Sequence, residues 1–302
     1  MGTILACRAD PAKHCHGRDS KSKPSPPEKA PMLRPPHITY SRLYTYHLDR
    51  RDLPEISDPD LIGAWIEEET TILFFHRPKE RLVESLCRTH GVQILYQADI
   101  DYTDWEAGRE IGPFSVGKMT VAPVWEKCPA DIVLDPSVIF GSGFHPSTRL
   151  CLEALLKYTE NPGNSLTSAL DLGCGTGLLA IAAARRGVER ITACDNNRLA
   201  CQVARANAAR NQVEDQITVL EADLRHQCPD TAGVDLVMAN LYKGLMAELF
   251  ANPSFWQGKL YLLSGFIPAM EEELLAALPG RGLRFLERNR SERWCVWVLT
   301  TH

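Results

Sequence analysis

From Leu150 onward, strand-like apolar runs alternate with segments of helical spacing, and this alternation limits the chain to one kind of architecture. CLEALLKY has helical spacing, SALDLG reads as a buried strand, GLLAIAAARRG as a helix, ITACD as a strand and RLACQVARANAARNQ as a helix. ITVLEAD, VDLVMAN, GLMAELF, KLYLLSGF, PAMEEELLAAL, LRFLERN and WCVWVLT continue the series. Parallel strands need crossover connections, and right-handed crossovers place helices on both faces of the sheet. Residues 149–302 are thus predicted to form a doubly wound α/β fold around a mostly parallel, seven-stranded, Rossmann-like sheet.

The upstream part divides into three. Residues 1–36 cluster Pro, Ser and Lys with almost nothing to bury, and read as a disordered tail. Residues 37–100 read as a smaller α+β domain: ITYSRLYTYHL as a strand, DLIGAWIEEE as a helix, TTILFFHR as a strand, KERLVESLCRTHG as a helix and VQILYQADI as a strand. Residues 101–148, rich in Pro and Gly, read as a linker and ligand-site loop whose FSVGKMTVAPVW segment still pairs with a sheet.

The composition excludes several classes. Hydrophobic residues make up 44% of the chain and charged residues 24%, at a net charge of -5, which suits a globular protein and disfavours duplex nucleic acid as substrate. Neither a membrane-length apolar run nor a signal-peptide pattern is present, so a cytoplasmic protein without membrane partners is expected, and a monomer. Of the ten cysteines, Cys87, Cys151, Cys174, Cys194, Cys201 and Cys295 lie in apolar periodic segments and none forms C-x-x-C, so reduced thiols are expected. Cys7, His14, Cys15 and His16 match no compact zinc module, and no metal site is expected.

Chemistry enters at Asp171–Gly177, DLGCGTG, where a strand hands over to a helix through Gly173, Gly175 and Gly177. Such a turn lets a ligand lie against backbone N–H groups at a helix start. The next strand ends on Asp195, 22 residues beyond Gly173, where a carboxylate can accept hydrogen bonds from a ribose diol. The G-x-G-x-G spacing is shorter than the dinucleotide fingerprint and favours an adenosyl ligand without phosphate. A carboxylate at Asp171 would suit a cationic methionine moiety and repel phosphates. Asp223, ending the third strand, either binds the adenine amino group or is an ordinary acidic strand end.

This loop with Asp195 resembles the class I S-adenosylmethionine-dependent methyltransferases, and a narrower likeness lies upstream. LDPSVIFGSGFHPST (Leu134–Thr148) resembles the LDPGxAFGTGTHPTT segment of the ribosomal protein L11 methyltransferases, the PrmA family. ANLYKGLM (Ala239–Met246), LLSGF (Leu262–Phe266) and ERWCVWVL resemble further segments of that family. The resemblance implies S-adenosyl-L-methionine as cofactor, with contacts at Thr148, Gly173, Asp195 and Asn240, and a ferredoxin-like N-terminal domain that recognises substrate. It also implies N-methylation of lysine or N-terminal amines of ribosomal protein L11. Ser142 in place of the usual Thr, Phe144 in place of a smaller polar residue, and the extra tail depart from the family pattern. They leave open another protein as acceptor, such as the electron-transfer flavoprotein β subunit, or a non-catalytic module that keeps the cofactor fold.

Methyl transfer to an amine requires alignment and a neutral nitrogen rather than a protein nucleophile. Asn240, at the end of VDLVMAN, could accept a hydrogen bond from the amine, or merely cap a helix beginning at Leu241. Tyr242 either lines the acceptor pocket or packs in the core. His145 either accepts a proton or anchors its loop, and Thr148 either binds the methionine carboxylate or caps. The absence of Asn-Pro-Pro-Tyr after position 239 argues against amide or adenine nitrogens as acceptors.

Overall fold

The computed structural model describes residues 41–67, 69–105, 111–160, 166–280, 282–291 and 293–301, so the tail read over 1–36 lies outside the described residues. The first sheet is built from β1 (Arg42–Leu48), β2 (Leu61–Glu67), β3 (Thr70–Phe75) and β4 (Ile94–Asp101), with α1 (Glu80–His90) between β3 and β4. Its order is β2-β3-β1-β4, and all neighbours are antiparallel. This is the strand order of a ferredoxin-like sheet with one crossover helix instead of two.

The helix expected over DLIGAWIEEE is instead strand β2. A bulge between Leu61 and Gly63 shifts the register, so Leu61 and Ala64 pack on the core of Tyr46, Leu48 and Leu73. Ile62 and Trp65 join the opposite cluster with Phe74 and Leu199. Burial on both faces, interrupted by the bulge, gives an apolar spacing that imitates a helical stripe.

After α2 (Tyr102–Trp105), β5 (Phe114–Val116), β6 (Met119–Pro123) and β7 (Ile132–Leu134) form a three-stranded sheet of their own. The FSVGKMTVAPVW segment therefore pairs within its own small sheet, antiparallel between β5 and β6 and parallel between β6 and β7.

The large layer follows as α3 (Pro146–Glu160), β8 (Ser168–Leu172), α4 (Leu178–Arg185), β9 (Arg190–Asp195), α5 (Arg198–Arg210), β10 (Ile217–Glu221) and β11 (Leu236–Asn240). It is completed by α6 (Lys243–Phe250), β12 (Leu260–Phe266), α7 (Glu271–Ala277), β13 (Arg284–Ser291) and β14 (Trp294–Thr300). The sheet order is β10-β9-β8-β11-β12-β14-β13, with β14 antiparallel to both neighbours and the other adjacent pairs parallel. This is the doubly wound, seven-stranded sheet expected from the alternation. One apolar cluster joins α3, α4 and α5 to one face, and a second joins α6 and α7 to the other. The chain runs outward from β8 to β10 and then returns to β11 beside β8. A crevice opens at such a reversal, at the carboxyl ends of the strands.

The opposite edge is fastened by Asp235, just before β11. Its Oδ2 accepts from the Thr167 and Ser168 amides at 2.8 and 3.1 Å and from their hydroxyls, while Lys259 Nζ lies 2.6 Å from Oδ1. Burial alone would raise this carboxyl's pKa, but Lys259 and the surrounding donors outweigh burial and hold it well below the usual range. Asp235→Asn is therefore expected to cost about 2 kcal/mol at neutral pH. The deficit should shrink as pH falls below about 4, where the wild-type carboxylate begins to lose its advantage over the unfolded chain. Urea unfolding of both proteins across pH checks this.

The eight described cysteines are all free thiols. Among the described residues no helix is long and apolar enough to cross a membrane, and no cluster could hold a metal ion.

Candidate functional site

At the carboxyl ends of β8 to β12 lies a cleft of about 880 Å³. Two loops form its floor. In the glycine loop, the amides of Gly173 and Cys174 donate to the Cys194 carbonyl at 2.8 and 2.9 Å. The FGSGFHPST loop closes on it, with Thr176 N donating to the Phe140 carbonyl at 3.1 Å and Thr176 Oγ1 to Gly141 O at 2.7 Å. Gly175 has φ +53°, and a Cβ there would fall 2.2 Å from the Phe140 carbonyl oxygen. The missing side chain thus makes room for the neighbouring loop's peptide, beyond any room it makes for a ligand. A similar close approach joins the LLSGF and ANLYKGLM segments, since a Cβ on Gly265 would lie 2.1 Å from the Leu241 carbonyl oxygen. Gly173 and Gly175 line the cleft, whereas Gly177 sits behind it at the start of α4, against Ala204.

The three acidic residues have different surroundings. Asp195 lines the cleft and accepts from Gly175 N at 3.0 Å and Asn197 N at 2.9 Å. Burial raises its pKa, opposed by backbone donors from Asn197, Gly175 and Asn196. Asp223, at the rim, is held below its ordinary pKa by its pair with Arg225, whose Nε and Nη2 reach its carboxylate at 3.0 and 2.9 Å. Asp171 does not line the cleft: it is 2% exposed beneath the loop, and its Oδ2 accepts from Ala180 N at 3.1 Å. The sequence reading aimed this carboxylate at a cationic ligand; the structure gives it to the α4 backbone.

Burial pushes the Asp171 carboxyl up to about 7. The folded protein therefore holds this proton where the unfolded chain has lost it, and stability contributed by Asp171 declines as pH rises from about 4 to about 7, by about 1.4 kcal/mol per unit at most. Asp171→Asn keeps an acceptor for Ala180 and removes that slope. Relative to the variant, the wild-type melting temperature is expected to fall across this interval and level off above it, which thermal unfolding at a series of pH values tests.

Asn240 ends β11 inside the cleft, with Nδ2 donating to Thr148 Oγ1 at 3.3 Å and Oδ1 buried without a partner among the described residues. The capping alternative fails on geometry: α6 begins at Lys243, and Tyr242 occupies its N-cap position without a side-chain bond. Thr148, 2% exposed in the first turn of α3, does not line the cleft and meets Asn240 instead of presenting its hydroxyl to a ligand. Tyr242 is 61% exposed at the cleft wall, so the core-packing alternative does not hold.

His145 sits between two aromatic rings, its centroid 4.9 Å from Phe140 and 4.5 Å from Trp294. Its Nδ1 accepts from Ser147 N at 3.3 Å and lies 2.8 Å from Ser147 Oγ. These contacts within the loop favour His145 as its anchor.

Phe140, Ser147, Trp294, Trp65 and Asn197 also line the cleft. Trp65 and Trp294 carry no signal in the sequence, since no local spacing distinguishes a tryptophan on a cleft wall from one in a core. Phe140 and Ser147 could have been found, since both belong to the FGSGFHPST segment. The two departures from the family pattern, Ser142 and Phe144, are buried and do not line the cleft; Phe144 packs edge-on to Phe114 at 5.3 Å.

The family model described as ribosomal protein L11 methyltransferase (PrmA) matches residues 55–302. The ribosomal protein L11 methyltransferase of Carboxydothermus hydrogenoformans is 37% identical over 214 residues, covering 68% of this chain and 68% of its own. That of Caldicellulosiruptor bescii is 31% identical over 272 residues, covering 86% of each. Among solved structures, a ribosomal protein L11 methylase from Lactobacillus delbrueckii subsp. bulgaricus superposes with a TM-score of 0.54 at 23% identity, covering 63% of this chain and 98% of that one; this likeness speaks for the fold. With the family model matched over residues 55–302 and relatives 31% and 37% identical, the chain belongs to the ribosomal protein L11 methyltransferase (PrmA) family of methyltransferases.

Proposed function

We propose that this chain transfers methyl groups from S-adenosylmethionine to lysine or N-terminal amines of ribosomal protein L11. The observation that carries the reading is Asn240 Oδ1, a buried acceptor without a partner at the strand end facing the cleft. An unmet acceptor at the cleft suits an amine N–H, and a hydrogen bond to it aims the nitrogen's lone pair. Thr148 acts as a positioning residue, holding the Asn240 amide from the other side.

The donor set fits an adenosyl cofactor. Asp195 would accept from the ribose hydroxyls, Asp223 from the adenine amino group, and the backbone of Gly173 and Gly175 would flank the nucleoside. When bound, the cofactor supplies an electrophilic methyl group on a sulfonium. The chain supplies alignment and exclusion of water, through Phe140, Trp294 and Tyr242 on the cleft walls. A lysine acceptor must arrive neutral, since at reference pKa near 10.4 only roughly one molecule in a few thousand is deprotonated at pH 7.

The experiment is incubation of the purified protein with recombinant ribosomal protein L11 and methyl-labelled S-adenosylmethionine. Label in the acceptor is the expected result. No transfer to L11, together with labelling of another protein in whole lysate, would move the assignment to that acceptor.

A further inference from the structure

We infer that Asn197 is a second polar contact to the nucleoside, donating through Nδ2 to a ribose hydroxyl oxygen while the neighbouring Asp195 accepts from the diol; this rests on the adenosyl cofactor proposed above. Asn197 is 8% exposed and lines the cleft beside Asp195. Its Oδ1 accepts from Leu199 N at 2.9 Å, capping α5. Only an oxygen can take that amide proton, so the cap fixes which side-chain atom is the nitrogen. Nδ2 is then left buried and without a partner among the described residues. Native folds seldom leave a buried donor unmet without a functional reason.

A Cβ on Gly63 of β2 would fall 2.5 Å from the Leu199 side chain, so the small sheet grips the start of α5. Trp65 and Ile66 of the same strand line the cleft, as does Ala200 of α5.

The chemistry is complementary. An ionised carboxylate only accepts, and Asp195 already accepts from Gly175 N and Asn197 N. Its remaining lone pairs can take hydroxyl protons, but each hydroxyl oxygen still needs a donor, which Asp195 cannot give. Ser, Thr, Asp and Asn all serve as helix caps, yet in the planar amide of Asn the cap acceptor and a two-proton donor share one end group. Capping alone therefore leaves the second half of this side chain unexplained, and a ribose diol explains it.

The test is calorimetric binding of S-adenosylhomocysteine and its 2′-deoxy and 3′-deoxy analogues to the full chain, to Asn197→Ser and to Asn197→Asp. Both variants keep a cap acceptor, and the second also keeps the size and shape of the side chain, so unchanged melting temperatures identify folded protein. The wild type is expected to bind one deoxy analogue about tenfold more weakly than the parent. Both variants should lose about tenfold on the parent and discriminate less against that analogue, keeping only the share that Asp195 supplies. Wild-type affinity in either folded variant, or an equal loss on parent and analogues alike, overturns the role of Asn197 and leaves the adenosyl reading standing. Absence of any binding by the wild type overturns both.

Discussion

Replacing Asn240 by alanine is expected to lower turnover about a hundredfold while shifting cofactor affinity only a few-fold. Oδ1 is the unmet acceptor at the cleft floor, and its removal should leave the amine without a group to orient it, an effect felt in the transition state more than in cofactor binding. Among the described residues Nδ2 donates to Thr148 alone, at 3.3 Å, so the structural loss should be small and the melting temperature should move little. Thr148→Ala separates the two effects: it keeps Oδ1 but frees the amide to rotate, and should cost less than Asn240→Ala. Single-turnover rates with labelled cofactor, beside calorimetric affinities, provide the measurement. Unchanged turnover in Asn240→Ala would remove Asn240 from the mechanism.

The second large effect is expected at Gly175. In Gly175→Ala the new Cβ would meet the Phe140 carbonyl oxygen at 2.2 Å, a backbone atom that no rotamer change can withdraw. The left-handed φ of +53° adds a further penalty for any side chain. Overpacking and backbone strain together should cost about 2–4 kcal/mol. Because the displaced peptide belongs to the loop over the cleft, nucleoside binding should weaken together with stability. A variant with wild-type melting temperature and wild-type affinity for S-adenosylhomocysteine would contradict this account of the two loops.

The large sheet was legible because its central strands β8, β11, β12 and β14 are buried on both faces while helices such as α5 and α7 also carry an exposed face, which keeps the two apolar periods distinct. Strand β2 was not, because a single bulge at Ile62 sends Leu61 and Ala64 to one core and Ile62 and Trp65 to another, and the resulting spacing fits a helix equally well. In the site, Asp195 and Asn240 were readable as polar residues ending apolar strands, a position that faces the crevice of any doubly wound sheet. Asp171 and Thr148 belong to the DLGCGTG and FGSGFHPST segments but do not line the cleft: Asp171 accepts from the α4 backbone and Thr148 meets Asn240. Local sequence states which loop a residue is on, but not which side of the loop its side chain leaves from. The same limit hid Trp294, whose place on the cleft wall follows only from the insertion of β14 into the sheet.

That insertion also orders events in time. Strand β13 precedes β14 in the chain but lies beyond it in the sheet, and its only sheet neighbour is β14. During synthesis β13 thus emerges with no place to dock, while β12, apolar on both faces, stands as an open edge. The two must arrive together as a hairpin or wait for β14 to seat first. Until then the nascent chain carries an unpaired hydrophobic edge of the kind that invites aggregation or chaperone capture, and the cleft lacks its Trp294 wall. The enzyme can therefore become competent only once β14 is in place, well after the glycine loop has been made.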